Sequence, residues 1–243
     1  MTAIPSRHLA TALRLGPREL IALIGGGGKS TLLFQLARSL QGSTIVTTTT
    51  KMGEFQTGGF EVFDAQDFES LRLQRRHEPV FIRHGVRNNK SIGVRPEFCD
   101  EWFEDESICD NLLVEADGAR HRPFKAPANF EPVFPRLTTV VLSVIGADAL
   151  GRVIADQCHR PLRVAAVAGC SPYERLTPQR AATVLTAPNG AMKGSPEAAR
   201  KVVVITKVPA HDDDPLTASL VAELQASLAG AIEVVSVEYE QLG

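Results

Sequence analysis

Three groups of residues could do chemistry together. Residues 25–31 read Gly25-Gly26-Gly27-Gly28-Lys29-Ser30-Thr31, a glycine run closed by a lysine and two hydroxyls. Backbone N–H groups without side chains in the way can cradle phosphates, the lysine ammonium can reach the terminal ones, and a serine hydroxyl can ligate Mg²⁺. The second group is Glu115, Asp117 and Gly118. Glu115 and Asp117 are two apart, so on an extended chain their carboxylates share one face and can hold Mg²⁺ directly or through water. Gly118 would let the backbone approach a γ-phosphate. The third group is cationic: Lys51, Arg120 and Lys125 are candidates for stabilising charge on a transferred phosphoryl group. Lys29 is expected to face solvent until a phosphate arrives, so that folding barely depends on it.

Elements of the right kind stand around these groups. Residues 20–24, Leu-Ile-Ala-Leu-Ile, read as a strand buried on both faces, and the apolar residues 32, 33, 36, 37 and 40 recur at helical spacing after the loop. Strand, glycine loop, lysine and helix place a positive helix N-terminus at the anion. Further strands are expected at residues 44–47, 80–83, 91–94, 111–116, 139–146, 201–206 and 232–237. Helices are expected at 6–15 with Ser6 as cap, from Asp64 to about Arg76, from Pro96 to Glu106, and at 162–168. Others start at Thr177-Pro178, precede the strand at 201, and span about 215–229. The run Thr47-Thr48-Thr49-Thr50 before Lys51 would put hydroxyls at the end of a parallel strand, facing the ligand crevice. Prolines at 123, 127, 132 and 135 bar a regular helix from the loop that carries Arg120 and Lys125. Alternating strands and helices argue for an α/β fold, a mainly parallel sheet with helices on both faces. One domain over residues 1–243 is expected, with a small α+β insertion at about 54–110 covering part of the site.

Composition narrows the partners. A formal charge of −2 over 243 residues gives no global pull toward nucleic acid or an anionic membrane. No apolar run is long enough to span a bilayer, and the N-terminus lacks the pattern of a signal peptide, so a cytoplasmic protein is expected. Cys99, Cys109, Cys158 and Cys170 are scattered without metal-binding spacing and read as reduced thiols.

The glycine loop departs from G-x-x-x-x-G-K-[ST], because Leu23 stands where the first glycine would be. The shorter G-x-x-G-K-S is similar to the loop of Mur-type ligases. In combination the chain resembles the selenium-dependent hydroxylase accessory protein family, the YqeC-like proteins. The matching pieces are residues 25–30, VTTTTKM at 46–52, EADGA at 115–119 and KAPANFEPVFP at 125–135. VIGADALG at 144–151, His159-Arg160-Pro161 and the loop 189–196 complete the set. The resemblance implies a P-loop fold and a role in maturing molybdenum-containing hydroxylases, with such an enzyme or its cofactor as partner. Two departures stand out. Ser30 replaces a usual threonine, and Thr206-Lys207-Val208-Pro209 stands where an Asn-Lys-x-Asp-like, guanine-reading element is expected.

The expectation is therefore a nucleotide-binding protein, taking ATP or GTP with Mg²⁺ and slightly favouring ATP. It would hydrolyse or transfer the γ-phosphoryl group, either as an accessory NTPase or as a kinase or ligase on an anionic acceptor. A nucleotide sensor without turnover is the third class. The oligomeric state is left open.

Overall fold

Residues 20–24 form the middle of strand β1 (Glu19–Gly25), buried from Leu20 onward because a strand lies along each of its edges and a layer of side chains on each face. This computed structural model describes residues 3–5, 8–67, 78–208, 214–228 and 232–238. In chain order the remaining strands are β2 (Thr44–Thr48), β3 (Met52–Gly53), β4 (Glu61–Asp64), β5 (Val80–Arg83), β6 (Gly85–Arg87) and β7 (Lys90–Ile92). Then come β8 (Asn111–Glu115), β9 (Phe124–Lys125), β10 (Val140–Gly146), β11 (Cys158–His159), β12 (Arg200–Val208) and β13 (Glu233–Glu238). Eight of them make one sheet in the order β13-β12-β10-β1-β8-β2-β5-β4, with every neighbouring pair parallel.

Among the described residues the α-helices are α1 (Leu9–Ala12), α2 (Lys29–Ser39), α3 (Pro96–Glu104), α4 (Ile154–Gln157), α5 (Pro161–Ala168), α6 (Pro178–Thr186) and α7 (Pro215–Leu228). They cover both faces. Ile21 and Leu23 of β1 pack with Leu32, Leu33 and Leu36 of α2 and with Leu9 of α1. Alternate residues Ala22 and Ile24 meet Val164 of α5, Leu185 of α6 and Leu220 of α7 on the opposite face. Leu20, Leu112 and Val114 continue that face onto Trp102 and Phe103 of α3. A period of two in the strands and of 3.6 in the helices is what lets each element offer one apolar side to its neighbour.

From β1 the chain steps over the place of β8 to build β2, and after β8 it crosses back over β1 to build β10. The strand order therefore reverses at β1, and the carboxyl ends of β1, β8, β2 and β10 open on one crevice, where parallel α/β sheets bind ligands.

The elements differ from expectation at a few places. The helix expected from Asp64 opens with a 3-10 turn at Ala65–Asp67, and Asp64 itself also ends a strand, because residues 61–64 pair with β5 and Asp64 holds Arg83 at 3.0 Å. The rest of that expected helix, residues 68–77, lies outside the described residues, as does Ser6. Of the block 54–110, β4 and β5 extend the central sheet, while β6 and β7 join β3 in a small antiparallel sheet beside the crevice. A turn, not a short helix, precedes β12, which starts at Arg200.

Candidate functional site

The glycine run is shaped first by its own packing. A Cβ on Gly25 would lie 2.2 Å from the Val144 carbonyl oxygen, one on Gly26 2.3 Å from that of Arg122, and one on Gly27 2.1 Å from the Gly146 nitrogen. Gly28 has open space around it and is required instead by its φ of 98°, as the residue that caps α2. The protein also takes up the first donors of the loop. The Gly25 N–H donates to the Asp117 carboxylate (3.1 Å), that of Gly26 to the Val144 carbonyl (2.9 Å) and that of Gly27 to the Arg122 carbonyl (3.1 Å). The N–H groups of Gly28, Lys29, Ser30 and Thr31 have no acceptor among the described residues, and all four residues line the cleft. The donors open to an anion thus belong to the last glycine and the first turn of α2, where the helix dipole is also positive.

Lys29 does not face solvent. Its residue is 4 % exposed, and its ammonium lies 3.1 Å from Glu115 Oε1 and 3.5 Å from Asp117 Oδ1. Burial alone would pull the Lys29 pKa down; the Glu115 and Asp117 carboxylates together outweigh it and hold the pKa above the usual lysine value. The reason lies in the register: β8 adjoins β1, so the carboxylates at the end of β8 stand beside the loop that leaves β1. Ser30 donates its hydroxyl to Glu115 Oε2 at 2.7 Å.

The ionic chain runs on behind the cleft. Asp117, 1 % exposed, also meets Lys125 Nζ at 3.0 Å. Lys125 donates to the Gly118 carbonyl (2.7 Å) and to Glu131 Oε2 (2.9 Å), and Glu131 Oε1 accepts from Arg160 at 3.1 Å. Burial pushes the Glu131 pKa up, but the Lys125 hydrogen bond and charge, with Arg160, hold it below the usual carboxylate value. Three cations and three carboxylates alternate, so each buried charge has an opposite neighbour, the condition for burying charge at all.

The cleft above this chain has a volume of about 690 Å³ and is bounded by the glycine loop, Glu115, Gly118, Lys51, Lys90, residues 119–122, Phe130, Glu131, His159 and Arg160. Of the residues expected to act, Lys29, Ser30, Thr31, Lys51, Glu115, Gly118 and Arg120 line it, with Gly26, Gly27 and Gly28. Asp117, Lys125 and Gly25 sit behind its wall. Gly118 has a negative φ and open space where a Cβ would project, so nothing in the protein calls for glycine there. The threonine run divides. Thr47, Thr48 and Thr49 donate their hydroxyls to the carbonyls of Ile82, Glu115 and Val133, while Thr49 and Thr50 reach the cleft.

His121, Phe130 and Glu131 fall in the loop 118–135, which as a whole reads from sequence as a segment that could bind an anionic acceptor; neither they nor His159 and Arg160 have an individual role there. His159-Arg160 and residues 125–135 stand out as motifs, but their spacing along the chain does not say that a parallel pairing of β11 with β9 brings them together. Among the described residues no group of three or more His, Cys, Asp or Glu could hold a metal ion by itself. No described helix is long and apolar enough to cross a membrane. Cys99, Cys109, Cys158 and Cys170 are free thiols; none lines the cleft.

A mainly parallel sheet with helices on both faces, and a glycine loop between its central strand and the following helix, defines an α/β protein consistent with the P-loop type. Residues 21–162 match the family profile described as YqeC protein. The chain is also 32 % identical over 226 residues to a protein of Escherichia coli (strain K12) described as Uncharacterized protein YqeC, covering 89 % of this chain and 88 % of that one. The chain belongs to the YqeC family. No solved structure matches it.

Proposed function

We propose that this protein binds a nucleoside triphosphate with Mg²⁺ and hydrolyses or transfers its γ-phosphoryl group, as an accessory in the maturation of a molybdenum-containing hydroxylase or its cofactor. The observation that carries the nucleotide reading is the set of four open N–H groups at residues 28–31, on the floor of a cleft rich in cations. Such a helix start is a ready anion site. The maturation role rests on the family resemblance.

The donor set suits Mg²⁺. Ser30 Oγ and Glu115 Oε2 are oxygen donors 2.7 Å apart, and Mg²⁺ at a nucleotide site takes its remaining ligands from phosphate and water. Asp117 suits it less, since its oxygens already serve Gly25, Lys29 and Lys125. When bound, the ion would neutralise charge on the phosphate oxygens. Lys29 would exchange its carboxylates for phosphate oxygens. Lys51 and Arg120, both in the cleft wall, would stabilise charge on the transferred group, and Lys125 would act as a positioning residue through Asp117 and Glu131. A kinase or ligase acting on an anionic acceptor is the second reading, favoured by the cationic wall beyond the glycine loop.

Calorimetric titration with Mg-ATP and Mg-GTP, beside an assay of phosphate release, tests the proposal. Binding of at least one nucleotide is expected, weakened by chelating Mg²⁺ in the wild type and less so in Glu115→Gln, which lacks the metal-holding carboxylate. Binding of neither nucleotide overturns the assignment; binding without any product makes the protein a sensor.

A further inference from the structure

Beside the glycine loop, the cleft is walled by Phe130, His159 and Arg160 and by Arg120 and His121 of the loop that follows Glu115. Phe130 is 73 % exposed although its loop is tied down. Arg163 donates to the Pro127 carbonyl (2.7 Å) and Asn129 Oδ1 (2.5 Å), and Lys193 to the carbonyls of Ala128 (2.7 Å) and Asn129 (3.1 Å). A ring held out of the core forgoes its burial energy, and no packing within the described fold returns it. Beside it, Arg160 is fixed by Glu131 Oε1 at 3.1 Å and His159 Nε2 at 2.9 Å, its guanidinium carbon 5.7 Å from the Phe130 ring centre. An arginine can only donate, so His159 Nε2 accepts and the imidazole is neutral. Burial, then the charges of Arg160 and Lys125, hold the His159 pKa down at about 4 against the opposing pull of Glu131, with Arg120 adding to the depression. Arg120 and His121 keep left-handed backbones (φ 49° and 60°) and have no side-chain partner among the described residues. Among the described residues the only carboxylates in the cleft wall are Glu115 and Glu131, and both are already paired. The wall therefore offers unspent positive charge next to an uncovered aromatic ring.

We propose that this wall is a second ligand site for a planar ring compound bearing a phosphate group. The ring lies on Phe130, and the phosphate is held by Arg120, His121 and Arg160. The inference rests on the glycine loop being the nucleotide's phosphate site, which leaves this wall for a different molecule and makes it the acceptor side of the cleft.

Phenyl phosphate, titrated into the protein saturated with a non-hydrolysable Mg-ATP analogue, tests it, with methyl phosphate as the ringless control. Phenyl phosphate is expected to bind the saturated protein about tenfold more tightly than methyl phosphate, the scale of one aromatic stack. Phe130→Ala combined with His121→Asn is expected to weaken phenyl phosphate by about tenfold or more while analogue affinity stays within about twofold. Both side chains are on the surface, and asparagine tolerates the left-handed backbone. Exclusion of phenyl phosphate by the bound analogue would make the wall part of the nucleotide site and overturn the proposal, as would unchanged binding to the double variant. If the analogue itself does not bind, the nucleotide reading fails separately. The second site then stands or falls on whether the double variant weakens phenyl phosphate in the nucleotide-free protein.

Discussion

Lys29 bears on folding as well as on any ligand, because two carboxylates depend on it. Glu115 and Asp117 are buried at the end of β8, and Glu115 has no other cation within ion-pair reach among the described residues. Removing one partner of a buried pair leaves an uncompensated charge and costs about 3–5 kcal/mol. Lys29→Ala is therefore expected to lose about that much stability in denaturant melts, and adding Glu115→Gln should restore part of it by removing the stranded charge. A loss under about 1 kcal/mol would mean that the ammonium is solvated and the pairing loose. The pH dependence follows from the raised pKa. The Lys29 contribution is complete below the ordinary value of 10.5 and fades only as pH rises through its higher folded value, so it is constant across the neutral range.

At the scale of elements, the loop between β1 and α2 is wedged against the loops that follow β8 and β10. Gly27→Ala would drive a Cβ to 2.1 Å from the Gly146 nitrogen while holding φ at 79°, and no flexible side chain is there to give way. Gly118→Ala meets nothing and needs no positive φ. The expected contrast is a Gly27→Ala protein that is severely destabilised or insoluble and a Gly118→Ala protein with an unchanged melting temperature but weakened nucleotide binding, read by thermal melts and calorimetry. Equal melting temperatures for the two would refute the packing argument. Full nucleotide affinity in Gly118→Ala would mean that no phosphate approaches that backbone.

At the scale of the whole molecule, the carboxyl ends of β10 and β12 fall beside the glycine loop, and this bears on base choice. Thr206 donates to the carbonyls of Gly27 and Ile145 and so braces the glycine loop, while Lys207 pairs with Asp148 at 2.6 Å and ties the end of β12 to the turn after β10. Asp214, through its bonds to Thr217, starts α7. Pro209, Asp212 and Asp213 lie outside the described residues. Proline has no side-chain acceptor, and a site that reads a base by shape alone separates two ligands by only about 10–200-fold, against about 10⁴-fold for a dedicated hydrogen-bonding partner. ATP and GTP are expected to bind within about 100-fold of each other, ATP slightly the tighter. A larger preference for GTP in side-by-side titrations would reveal an acceptor beyond the described segment.

Local signals carried much of this protein. The apolar runs at 20–24, 111–116 and 139–146 became strands because burial on both faces leaves that pattern in a contiguous stretch. The glycines, Lys29 and Ser30 are adjacent in the chain, so a loop and helix start could be read there directly. Helix limits such as Thr177-Pro178 were legible because the threonine bonds the Arg180 N–H within its own turn. That Asp64 also ends a strand could not be read from its neighbours, because it depends on β5 lying alongside. The state of Lys29 belonged to the tertiary structure alone: whether its ammonium meets water or carboxylate depends on β8, rather than a neighbour in sequence, lying next to β1. The reach of Glu131 and Arg160 into the cleft is of the same kind, since it follows from the β9–β11 pairing across more than thirty residues of chain. Periodicity and turn chemistry act over a few residues and can be read one stretch at a time. Charge pairing acts through space, and only the fold says which distant side chains share it.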